Sequence, residues 1–106
     1  MNAKAILPTI LRRRADRLFR VAEEVFGSDP REPSRSHIPV VCRCLIAVEL
    51  MKDGWSSSMV GNVLGRDHAT MFYYRGKYND YLTLPGYEME REMIQQFGEA
   101  LANKSK

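Results

Sequence analysis

The side chains best suited to chemistry follow one another in a single short run. Arg66, Asp67, His68 and Thr70 set a cation, a carboxylate, an imidazole and a hydroxyl side by side, with only Ala69 between. A carboxylate next to an imidazole could hold a metal or move a proton. Hydrolysis by that route needs a further ligand or a second acidic cluster, and none accompanies the pair, so a small metal-dependent nuclease or hydrolase is the weakest reading. The only other histidine, His37, stands in an unrelated context. Cys42 and Cys44 lie two apart on an expected helix, where their side chains diverge. They are expected to be small buried apolar residues, with no disulfide and no zinc site. No G-x-x-x-x-G-K-[ST] string occurs, so no nucleotide is expected to bind through a phosphate loop. Neither a metal nor a cofactor is called for. What remains for the 66–70 run is recognition, or plain structure: Asp67 is also a good helix N-cap, and an isolated histidine is more often a surface or core residue than a reader of a ligand.

Charge points the same way without deciding it. The net charge is only +3, but Arg12, Arg13, Arg14, Arg17 and Arg20 gather near the start and Glu88, Glu90, Glu92 and Glu99 near the end. Basic clusters suit phosphate backbones or anionic surfaces, and they also serve as ordinary solvated helix faces.

The elements that must position these residues are helical. A chain of 106 residues, 44% hydrophobic and 27% charged, fits one folded domain and leaves too little for a second core. Ile10, Leu11, Leu18, Val21, Ala22, Val25 and Phe26 recur at helical spacing up to Gly27. The stretch 28–36, SDPREPSRS, is expected to be an exposed loop carrying Arg31 and Arg35 into solvent. Ser36 and Pro39 then open the helix expected to be most buried, with Val40, Val41, Cys44, Leu45, Val48 and Met51, closed by Asp53-Gly54. Three serines, 56–58, cap a short helix ending at Gly65, and a longer helix follows the turn, with Tyr74, Tyr78 and Tyr81 inward and Tyr73 unassigned. After Pro85-Gly86 a last helix carries Met89, Met93, Ile94, Phe97 and Leu101. The pattern predicts five helices and no sheet, at 9–26, 37–52, 56–64, 67–82 and 86–103, with residues 104–106 fraying. The terminal helices should pack on the proline-led helix through Val21/Val25 and Met93/Phe97, leaving the 67–77 surface free. No apolar run could span a bilayer, and MNAKAILPTI is too short and too proline-broken for a secretory signal, so a cytoplasmic protein without a membrane partner is expected.

A short helix, a glycine-bearing turn and a longer helix opening on polar residues reproduce the helix-turn-helix plan. Within it, Gly65-Arg66-Asp67-His68-Ala69-Thr70-Met71 resembles the recognition-helix signature of the bacterial chromosomal replication initiator DnaA. The resemblance covers a core of about 21–82, including the helix led by Pro39 and the Val60-Gly61 of the short helix, with the helix at 86–103 added. It implies a small all-α helical bundle similar to the C-terminal domain of that family and to Trp-repressor-like folds, spanning 1–106 as a single domain. It also implies binding to double-stranded DNA, in replication initiation or control or in transcription regulation. Asp67, His68, Ala69 and Thr70 inherit base contacts: the carboxylate accepts from a cytosine amino group, the imidazole and hydroxyl pair with base edges, and the Ala69 methyl touches thymine. Arg66 and Lys77 inherit phosphate contacts, as do Ser57 and Ser58 at the start of the short helix. Arg35, with Arg31 as substitute, inherits entry into the minor groove.

The chain departs from the family's pattern in several places. Val40 and Val41 follow Pro39 where basic or polar residues are common, one glycine precedes Arg66, Gly76 replaces a common basic residue, and the basic loop is shorter. The ATPase module of initiators has no counterpart in these residues. A competing reading therefore keeps the fold but assigns it to association with a replication or regulatory protein, with a degenerate DNA surface.

Overall fold

A computed structural model describes residues 8–104. Five helices follow in order, α1 (Thr9–Phe26), α2 (His37–Lys52), α3 (Ser57–Leu64), α4 (His68–Thr83) and α5 (Glu88–Lys104), and no strand occurs among the described residues. Each expected helix is present with its ends within two residues of those read from the sequence. Lys104 closes α5, and the expected fraying of residues 105 and 106 lies outside the described residues.

The centre of the bundle is α2. From Val41 to Val48 every residue is buried, including Cys42, Cys44, Leu45, Ile46 and Ala47, because apolar residues occupy all sides of this helix rather than one stripe. Full burial of a Leu or Ile side chain contributes roughly 1.5–3 kcal/mol relative to exposure, so this segment carries much of the core. The other four helices all pack on it, α4 most extensively. Both thiols are free, and burial pushes Cys42 up to about 11 and Cys44 up to about 12, which keeps them as inert packing groups at neutral pH.

The packing departs from the sequence reading in four places. Helix α5 lies chiefly against α1, with the Phe26 and Phe97 rings 6.3 Å apart, and touches α2 less. Ile10, expected inward, is 74% exposed, because Leu11, Ala15, Leu18 and Ala22 share one side of α1 and residue 10 falls about 100° away from it. Met89 is exposed too, since Met93, Phe97 and Leu101 form the inner stripe while Glu90 turns in to meet His37, Nε2 to Oε2 at 2.6 Å. Tyr78 is only half-buried and lies under the Lys52 ammonium, which also sits within 3.5 Å of its hydroxyl.

The loop at 28–36 is anchored rather than simply exposed. Pro30 is buried, and the Arg43 side chain, itself buried in α2, donates to the carbonyls of Pro30, Glu32 and Ser34.

Candidate functional site

The polar run at 66–70 lies where α3 meets α4, and two glycines set the junction. Gly65 ends α3 with φ 68°, a left-handed conformation that glycine adopts without penalty. Gly61, one turn earlier, has the next strand of backbone pressed against it: the Arg66 amide donates to the Gly61 carbonyl at 2.8 Å, and a Cβ at Gly61 would stand 2.6 Å from the Arg66 carbonyl oxygen. Only a residue without a side chain allows that approach.

Asp67 caps α4. Its Oδ1 accepts from both the Thr70 amide and the Thr70 hydroxyl at 2.9 Å each, which holds its carboxyl below the usual carboxylate range, the backbone bond contributing most. The N-cap reading of Asp67 is therefore realised. Both bonds fall on Oδ1, and Oδ2 keeps its lone pairs for another donor. The Thr70 hydroxyl has spent its proton on Asp67 and can only accept.

His68 and Ala69 are exposed on the first turn of α4, with the His68 ring edge-on to Phe72 at 6.2 Å. At about 100° per residue, 68, 69, 72, 73 and 76 fall on one side of the helix, opposite Met71, Tyr74 and Tyr81 in the core. Phe72 and Tyr73 accordingly remain 55% and 57% exposed. Phe72 escaped the reading of candidate residues, although the same angular count assigns it to this face. Arg66 is half-buried, and its guanidinium reaches the Gly65 carbonyl at 3.2 Å. With Ser58, Asn62, Asp67 and His68 it lines a shallow cleft beside the turn.

On the other side of α4 a second cleft is lined by Lys52, Trp55, Ser56, Ser57, Phe72 and Arg75. Ser56, rather than Ser57 or Ser58, is the cap of α3: its hydroxyl accepts from the Met59 amide at 3.2 Å, and its carbonyl from Val60. The amides of Ser57 and Ser58 are thus left without an intrahelical partner at the positive end of the helix dipole. Lys52 and Arg75 were not singled out from the sequence, since each reads there as an ordinary solvated charge.

Three expected contacts are less directly placed. Lys77 stands nine residues after His68, about half a turn out of phase with it. Its ammonium donates to the Tyr87 hydroxyl at 3.2 Å and lies over the Tyr87 and Tyr81 rings, and the Tyr87 bond raises its pKa. Arg31 is tied to Asp29, Nε to Oδ1 at 2.9 Å, and lies 5.4 Å over the Phe19 ring. Arg35 is exposed and pairs with none of the described residues.

Among the described residues no group of three His, Cys, Asp or Glu side chains is placed to hold a metal ion, and no helix is long and apolar enough to cross a membrane. Compared with the models of known protein families, with curated proteins and with solved structures, the chain matches none.

Proposed function

We propose that this chain is a helix-turn-helix DNA-binding domain, with α3 as its scaffold and α4 as its recognition helix, similar to the DNA-binding domain of the replication initiator DnaA. One observation carries the reading. The close approach at Gly61 and the Asp67 cap hold the first turn of α4 rigid and exposed, with His68, Ala69 and the free oxygen of Asp67 presented beside Arg66. A helix entering the major groove needs this arrangement: base-reading groups on its first turn, held in place before DNA arrives. Asp67 Oδ2 suits a cytosine amino group, His68 a base-edge donor or acceptor, and the methyl of Ala69 and ring of Phe72 suit thymine methyls. The unpaired amides of Ser57 and Ser58, with Lys52 and Arg75 across the adjacent cleft, suit a phosphate on one strand, and Arg66 suits the other flank. The domain would act in replication control or transcription regulation by binding alone.

The experiment is a selection of bound duplexes from a random pool, followed by titration of the preferred and an unrelated duplex at one salt concentration. His68→Ala should weaken the preferred duplex by about 1–3 kcal/mol and leave the unrelated one nearly unchanged, because phosphate contacts dominate nonspecific binding. If the ratio stays fixed for His68→Ala, Asp67→Ala and Thr70→Ala alike, this face does not read sequence.

The second reading, association with a replication or regulatory protein, draws on the exposed Phe72 and Tyr73 pair, since aromatic residues are enriched in protein interfaces. Weak binding to every duplex would favour it.

A further inference from the structure

A charged residue in the most buried helix requires an explanation, and Arg43 has an unusual one. It is 3% exposed, forms no ion pair among the described residues, and spends its guanidinium on one loop. Nη1 donates to the Pro30 and Glu32 carbonyls at 3.1 and 3.0 Å, Nη2 donates to the Ser34 carbonyl, and Nε is buried without a partner. Three alternate carbonyls of a five-residue stretch converge on one planar group. Burying an arginine for loop carbonyls alone is costly as a means of stabilising a core, because an apolar side chain of similar size would fill the space without desolvating a charge. The geometry instead fixes the path of the chain up to Arg35, the next residue after the last carbonyl held. The far end of the same loop is fixed independently by the Arg31 to Asp29 pair, with Arg31 over Phe19.

The anchored loop lies on the side of the molecule that the proposed interface uses. Phe19, under Arg31, lines a cleft with Arg12, Asn62 and Val63, and Asn62 in turn lines the cleft with Arg66 and His68. Loop, α1 and the α3–α4 turn are therefore consecutive neighbours across one surface.

We propose that Arg43 is a positioning residue for DNA binding: it holds the 30–34 backbone in one conformation so that the unpaired Arg35 is presented to the duplex beside the recognition helix. This rests on the DNA-binding reading above. Without Arg43 the loop would have to be ordered at the moment of binding, and fixing even one residue's backbone then weakens affinity by about tenfold. Arg35 and not Arg31 is the group presented, since Arg31 is already committed to Asp29.

The test is a double-mutant cycle on the selected duplex, with wild type, Arg43→Met, Arg35→Ala and the double variant, at a temperature where circular dichroism shows all four folded. Arg43→Met should weaken binding about tenfold in the wild-type background and leave it nearly unchanged once Arg35 is gone. Amide hydrogen exchange should at the same time show the Arg31 and Glu32 amides losing protection while α2 and α4 keep theirs. A merely structural arginine would weaken both backgrounds alike, and that result overturns the role assigned to Arg43 while leaving the DNA reading intact. Failure of the wild type to select any duplex overturns the DNA reading itself, and with it the use made of the loop. If Arg43→Met does not fold, Arg43→Lys, which keeps one donor group for the same carbonyls, replaces it in the cycle with the same two opposed outcomes.

Discussion

Replacing Gly61 by alanine should destabilise the protein, against the ordinary expectation for a helical glycine. In an unobstructed helix interior Gly→Ala stabilises by about 1 kcal/mol, because alanine loses less backbone entropy on folding. At Gly61 the new Cβ would lie 2.6 Å from the Arg66 carbonyl oxygen, 0.8 Å inside the 3.4 Å at which ordinary contact begins. That oxygen belongs to the backbone and has no rotamer to escape into, so either α3 or the 65–67 turn must move. Such overpacking costs about 1–3 kcal/mol. Movement also stretches the 2.8 Å bond from the Arg66 amide to Gly61, worth about 1 kcal/mol more. Taken with the propensity gain, the net expectation is a loss of about 1–3 kcal/mol. Urea denaturation monitored by circular dichroism would measure it, with Gly98→Ala as the internal control. Gly98 lies exposed in α5 with nothing within 4 Å of an added Cβ, and its replacement should stabilise by about 0.5–1 kcal/mol. A Gly61→Ala protein as stable as wild type, beside a stabilised Gly98→Ala, would refute the account of the junction. A destabilised Gly61→Ala should also bind its duplex more weakly at a temperature where it is fully folded, since the shift falls on the segment that carries Arg66 and Asp67.

Two further outcomes follow from the same junction. Arg66→Ala should weaken binding to every duplex alike and flatten the dependence of log affinity on log salt by about one unit, whereas Lys77→Ala should flatten it by less, because the Lys77 ammonium must leave Tyr87 to reach a phosphate; equal slopes for the two variants would refute the distinction. The Asp67 cap contributes stability above the ordinary aspartate pKa, since its folded pKa is depressed, and that contribution should disappear as pH falls through the lowered value; following the Thr70 amide resonance in acid, wild type should show this transition and Asp67→Asn should not.

The helices were legible because each is bounded by a residue whose local chemistry leaves little choice: Asp67 and Ser56 as caps with hydroxyl or carboxylate acceptors, Gly65 where φ must be positive. The first turn of α4 was legible for the same reason, since a polar run after a cap is solvent-facing wherever the rest of the helix is buried. Arg43 was not, because in sequence it reads only as a charge among Val, Cys and Leu, and its partners are backbone carbonyls that any residue could supply. No side-chain pattern in the loop announces them. Lys77 shows the converse difficulty. A basic residue farther along the recognition helix suggests a phosphate contact, yet the count from His68 turns it onto the flank where Tyr87 waits, and Tyr87 arrives from the next helix. Local chemistry thus fixes where each helix begins and which groups its first turn exposes, while partners drawn from distant segments decide what each charged group is free to touch. On this molecule that division favours the base-reading turn at 67–69, whose geometry is set within four residues, and makes Arg35 dependent on a side chain two turns into another helix.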